Sequence, residues 1–347
     1  WMATIDNRST GPVMVIHDVA NLETNWELMN GSIEYDSPYT LSGSKLAVAN
    51  QTTLSVFNLN AISTSNEPML TMAIEEPDEI VLTGTEEVEY LILEKNGLLS
   101  AYTLQGEEVS LGFNVANIQL IRANGLEIAM VLEDDPTSIQ FSRIGSSGSI
   151  TIEQINASST PEEDEILESW GTPVDMTNAT ITDFVFDENY IAVTVNVSAT
   201  ERLVVYNRSN SHQWLASNAK YAVSGPSMKN GILAWSVRDH LDPTNPIEKY
   251  MDGEIQFVNL TNNHTQLLTS DALHQWSPHV LEHHLVYFEQ SSEGEVTIHI
   301  HSWVPEITPY SNVILQIGIV IGVMLVFTHI VQRQSESRRT IMNNEEE

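Results

Sequence analysis

The side chains best suited to chemistry in this chain are histidines gathered just ahead of residue 303. His274, His279, His283, His284, His299 and His301 all fall there, and the run VTIHIHSW sets His299 and His301 two residues apart. On a strand that spacing puts both imidazoles on one face, where with His283 they could hold Zn²⁺ or Cu²⁺. The competing reading makes them outward polar residues opposite Val296, Ile298 and Ile300. A second set, Asp239, Asp242 and Asn245 in RDHLDPTN, offers oxygens to Ca²⁺. That ion takes six to eight oxygens, and an acidic turn is more often simply solvated.

Covalent catalysis finds less support. The chain has no Cys, which removes thiol chemistry, disulfides and Cys-based zinc sites. GSSGS at Gly145 to Ser149 has Ser where a nucleophile elbow needs its second Gly. P-loop, dinucleotide glycine fingerprint and H-E-x-x-H are all absent. The balance lies against an enzyme, and no catalytic residue is assigned.

The elements that must position these residues are strands. From Val13 to Trp303 the sequence runs in short apolar segments with period-two alternation, broken by turn residues, and without helical periodicity. A hairpin-like unit recurs at Lys45 to Leu59, Glu89 to Leu104, Leu126 to Ile144, Tyr190 to Asn207, Ile232 to Leu260 and Leu285 to Trp303. A looser strand precedes several of them (Pro38 to Ser44, Val223 to Gly231, Trp276 to His284), and a fourth run follows some (Glu67 to Ile74, His264 to Ser270). Four strands per unit at this spacing predict an all-β fold, a β-propeller of six blades with seven as the alternative. VMVIHDV and NWELMN read as the third and fourth strands of a blade that the C-terminal strand VTIHIHSW completes, hiding two sheet edges. The segment Gly148 to Phe186, acidic at Pro161 to Ser169, reads as an exposed insertion or a short surface helix.

GEIQFVNLTNNHTQLLTSDALHQWSPHVLEHHLVYFEQ, Gly253 to Gln290, resembles the TolB-type, WD40-like propeller repeat of exported prokaryotic proteins: strand, turn, strand ending in L-T, a Pro-containing strand, then an apolar strand. The likeness is clear over the last two units and fades toward the N-terminus, where Leu98 to Gly112 equally resembles a quinoprotein-like blade. It implies a propeller and a protein-binding role, and it transfers no catalytic residue.

The run Val313 to Val331, VILQIGIVIGVMLVFTHIV, is uncharged and long enough to cross a bilayer as one helix. Trp303 and Tyr310 precede it as interfacial anchors, while Arg333, Arg338 and Arg339 follow and assign the C-terminal side to the cytoplasm. The expected organisation is an extracellular propeller (1–304), a linker (305–312), one membrane span (313–331) and a cytoplasmic tail (332–347). Gly318 and Gly322, with Gln316, could form a helix contact within the membrane. An outside N-terminus requires export, so a cleaved signal peptide is expected ahead of Trp1. Sequons at Asn7, Asn30, Asn50, Asn156, Asn178, Asn196, Asn207, Asn259 and Asn263 all lie on the outer side, as in a surface glycoprotein. The net charge of −33 repels nucleic acid and anionic lipid and attracts cations. With no Cys, it fits a prokaryotic and more particularly an archaeal surface. These features predict a membrane-anchored binding or scaffolding module for another surface protein or a glycan. The alternatives are an accessory subunit of a membrane complex and a metal-dependent surface hydrolase or lyase.

Overall fold

A computed structural model describes most of residues 1–302; residues 145–178, 240–252 and 303–347 and several short turns lie outside the described set. The described residues form seven antiparallel sheets, each built from consecutive strands. The first holds β1 (Met2–Arg8), β2 (Gly11–Asp18) and β3 (Asn21–Leu28); the second, β4 (Tyr39–Ser42), β5 (Lys45–Ala49), β6 (Thr53–Asn58) and β7 (Leu70–Ala73). The third holds β8 (Glu79–Gly84), β9 (Glu89–Lys95), β10 (Leu98–Thr103) and β11 (Glu108–Val109); the fourth, β12 (Ile118–Asn124), β13 (Glu127–Leu132) and β14 (Asp135–Arg143). The fifth holds β15 (Thr180–Phe186), β16 (Tyr190–Val197), β17 (Thr200–Asn207) and β18 (Gln213–Leu215). The sixth holds β19 (Tyr221–Lys229), β20 (Ile232–Asp239), β21 (Gly253–Asn259) and β22 (His264–Leu267); the seventh, β23 (His274–Val280), β24 (His284–Gln290) and β25 (Val296–Ser302). The chain divides into two compact units, Trp1–Glu282 with Val286–Ile300, and His283–Leu285 with His301–Glu347. In the second, His284 Nδ1 and Ser302 Oγ lie 2.9 Å apart.

All six hairpins expected from the sequence are present, as β5–β6, β9–β10, β13–β14, β16–β17, β20–β21 and β24–β25. The expectation of six blades is corrected to seven sheets, because VMVIHDV and NWELMN are not the closing half of a shared blade. They are β2 and β3 of a sheet whose other strand is β1, with Met2 paired to His17 and Arg8 to Gly11. β25 belongs to the sheet of β23 and β24, so no described sheet joins the two ends of the strand series. The region read as an insertion also ends differently. Thr180–Phe186 is β15, the first strand of the fifth sheet, while residues 145–178 are outside the described set.

Why these segments pair this way follows from their two-sided burial. The second strands are buried on both faces and mostly apolar: Leu46 to Ala49, Ile128 to Val131 and, with Thr194 among them, Ile191 to Val195 are all buried. A strand sandwiched between neighbouring sheets needs no polar face, which is why such strands read as continuous apolar runs. Between sheets one and two, Met14, Ile16, Leu46 and Phe57 form one core; between five and six, Val205, Leu233 and Trp235 form another. Full burial of each such side chain contributes roughly 1.5–3 kcal/mol.

The first strands of successive sheets, from β4 to β23, lie side by side. Three of them are kinked. Register shifts fall between Ile118 and Leu120 in β12, Ile181 and Asp183 in β15, and Ser224 and Ser227 in β19. Such bulges bend a strand and re-aim its side chains. In β19 the bulge is Gly225-Pro226, with Gly225 at φ +59°; beside it in β23, Ser277 takes φ +49° ahead of Pro278. A non-glycine residue in that region is held there by its surroundings.

Candidate functional site: a charged cavity on the first strands

The side-by-side first strands bring chemistry-bearing residues from several sheets together. A cavity of about 560 Å³ lies against β4, β8 and β12, lined by Pro38 to Ser42, Asp78 to Leu82 and Ile121 to Ala123. Its polar lining residues are Tyr39, Thr40, Ser42, Asp78, Glu79 and Arg122, and the Tyr39 hydroxyl itself donates to the Ala3 carbonyl at 3.5 Å. The size suits a ligand group or a long side chain.

Arg122 is the centre of the charge pattern. Its Nη1 donates to Glu79 Oε1 at 2.6 Å and to the Ile121 carbonyl at 2.7 Å, and its Nη2 donates to Asp183 Oδ1 at 2.8 Å. One cation thus links β8, β12 and β15, with the Phe184 ring 6.0 Å from its guanidinium carbon. Burial pushes the Glu79 carboxyl above the usual value despite Arg122, with Glu94 and Asp183 adding to the rise. Burial raises Glu94 too, although the Gly97 N–H opposes it, and raises Glu201, where Arg238 opposes it. Asp78 moves the other way, held down first by the Asn96 N–H donating at 2.8 Å, with Lys95 also lowering it.

These shifts fix a pH dependence. A carboxyl whose folded pKa is raised binds more protons folded than unfolded between its ordinary value near 4.5 and the raised one. Stability therefore falls as pH rises through that window. His17, lowered chiefly by burial, works against this below its ordinary 6.5, while Asp78 acts only in stronger acid. Relief of self-repulsion at net −33 adds to the three glutamates. The melting temperature is expected to rise as the pH falls through the raised glutamate values toward about 4.5, and Glu79→Gln is expected to flatten the rise. A melting temperature that falls steadily over that range contradicts the assignment.

At the end where the first strands finish, neighbouring sheets are tied together. Lys45 Nζ meets Glu89 Oε2 at 3.1 Å, Thr83 Oγ1 donates to the Gly125 carbonyl at 2.6 Å, and Tyr190 OH donates to the Leu260 carbonyl at 3.2 Å. Arg208 grips Glu127 with two hydrogen bonds, and the Gly231 N–H donates to Asp187 Oδ2 at 2.9 Å.

The residues expected from the sequence do not gather there. His299 Nε2 lies 3.1 Å from Glu289 Oε1 and 3.1 Å from Thr297 Oγ1, its ring stacked on Tyr287 with centroids 5.3 Å apart. His301 is exposed near the end of β25. His283, Asp242 and Asn245 are outside the described residues, and Asp239 ends β20. Among the described residues no three His, Asp or Glu side chains converge as a metal site would require. Among the sequons, Asn50 Oδ1 accepts from the N–H groups of Thr52 and Thr53. Asn207 and Asn259 each accept from the backbone and hydroxyl of their own sequon's Ser209 and Thr261. These are Asx-turns, which fix the asparagine at a surface corner. Asn196 lies one residue inside the end of β16, and Asn7 lies on β1. Asn30, Asn156, Asn178 and Asn263 are outside the described residues, as are Trp303, Tyr310, Arg333, Arg338, Arg339 and the run Val313 to Val331. No helix among the described residues is long and apolar enough to cross a membrane.

Sequence reasoning did not find Glu79, Arg122 and Asp183. The available signal was one charged residue inside each of three consecutive first strands, in EIVLTG, IQLIRAN and TITDFVF.

Comparison with solved structures defines the fold. The β-propeller domain of the trilobed protease from Pyrococcus furiosus, described as having an open velcro topology, superposes with a TM-score of 0.53 at 10% identity, over 89% of this chain and 100% of that one. A prolyl endopeptidase matches with a TM-score of 0.50 at 12% identity over 87% of this chain, which spans 50% of the endopeptidase. A TolB from Agrobacterium tumefaciens is also among the neighbours, at TM-score 0.38 and 12% identity, over 67% of this chain and 86% of that one. The fold is that of a β-propeller. No protein-family model matches the chain, and no curated protein matches it.

Proposed function

We propose that the protein is a membrane-anchored β-propeller that binds another surface protein or a surface glycan. The observation that carries the reading is the open, charged cavity built by three separate first strands, on a fold that holds them in fixed register. Propellers bind through grouped loops and central clefts. Fold likeness alone leaves the ligand open, and the cavity supplies the site. The anchor is the uncharged run Val313 to Val331, with Arg333, Arg338 and Arg339 on its cytoplasmic side.

Protease applied to intact cells tests the anchoring and its orientation. Release of a fragment carrying the strands is the expected result. Protection of the whole chain would reverse the topology and remove the surface role.

A further inference from the structure

We infer that the cavity beside β4, β8 and β12 takes a cationic group carried by a partner protein, the ammonium or guanidinium of a Lys or Arg side chain. The inference rests on the binding-module reading and names the ligand of that site. Its first support is the state of Arg122, the one cation among the described lining residues. Held between Glu79 and Asp183, it already has its charge matched twice over. A ligand anion would have to displace one of these carboxylates, whereas a ligand cation adds to them. Arg122 donates to Glu79 through Oε1 alone, which leaves Oε2 as an acceptor for a second donor.

The remaining lining fits the same ligand. Thr40 and Ser42, two apart on β4 and so on one face of it, line the cavity too and carry hydroxyl groups. Carboxylates and hydroxyls together are the acceptors that an ammonium or guanidinium needs. A bare Ca²⁺ or Mg²⁺ fits poorly, since each takes six or more oxygens, and no three acidic or His side chains converge among the described residues to hold a metal. At net −33 the chain draws cationic partners from a distance, while the cavity selects where one group docks.

Calorimetric titration of the full chain in mild detergent with tetra-arginine peptide, and with the neutral tetra-citrulline peptide, tests this. At about 0.15 M salt, general attraction is screened beyond about 8 Å. Tetra-arginine is expected to bind and tetra-citrulline not. Glu79→Gln, which still offers Arg122 an acceptor, is expected to weaken binding about tenfold, with its fold checked by thermal melting. Glu67→Gln, at an exposed loop carboxylate, is expected to leave binding unchanged, while Ser42→Trp, which sets a bulky ring in the cavity lining without changing charge, should abolish it. Equal weakening by Glu79→Gln and Glu67→Gln, or equal binding of the two peptides, overturns the inference. If tetra-arginine fails to bind but a native partner is captured and lost on Ser42→Trp, the cationic ligand is refuted and the binding module stands. If neither binds, both fall.

Discussion

Arg208→Ala is expected to lower the unfolding free energy by about 2–4 kcal/mol, the cost of leaving a largely buried ion-pair partner alone, discounted for exposure. Arg208 is only 13% exposed, and Glu127 is 32% exposed. The guanidinium donates to both Glu127 oxygens, at 2.8 and 2.6 Å, and to the Asp187 carbonyl at 3.1 Å, while its carbon lies 4.8 Å from the Phe141 ring centroid. One side chain therefore ties the fourth sheet to the fifth through a bidentate pair, a carbonyl and a ring face. Arg208→Lys keeps the charge and loses the planar fork, so it should recover less than half of the loss. Urea denaturation of the two variants checks this. A loss for Arg208→Ala below about 1 kcal/mol would reduce the contact to an ordinary surface pair.

Asp187→Ala is expected to cost about 3–5 kcal/mol, because three backbone donors lose one shared acceptor group. Oδ1 accepts from Asn189 at 2.8 Å and Tyr190 at 2.9 Å, and Oδ2 accepts from Gly231 at 2.9 Å in the next sheet. Asp187 is 8% exposed, so water cannot readily replace the carboxylate. Asp187→Asn keeps one acceptor oxygen and should lose about half as much. Arg208 donates to the Asp187 backbone, so the two sites are coupled. The double variant is expected to lose less than the two single losses together, and strict additivity in the same denaturation series would separate the two ties.

The physical basis of these ties also explains what the sequence could reveal. A hairpin is local: ILAWSVRD and GEIQFVN carry their own strand signals, and alternation with turn residues is enough to find β20 and β21. β1 escaped because MATIDNR is half polar and its partner β2 was assigned to another role. That one omission separates the expected six units from the seven sheets among the described residues. The cavity was hidden for a different reason. Glu79 and Arg122 are 43 residues apart and Arg122 and Asp183 are 61 apart, and they become neighbours only because the first strands β8, β12 and β15 of separate sheets lie side by side. The histidines, by contrast, were visible as a pattern. On β25, His299 is engaged with Glu289 and Tyr287, contacts that strand spacing alone does not encode.

The most direct test of the cavity as a binding site is capture of a native partner from solubilised membranes by the full chain and by Ser42→Trp side by side. The account predicts that one partner protein or glycan copurifies reproducibly with the unaltered chain and is lost with Ser42→Trp, while both chains melt at the same temperature. Retention of the partner by Ser42→Trp, or a chain that purifies alone and turns over a surface polymer, would contradict it.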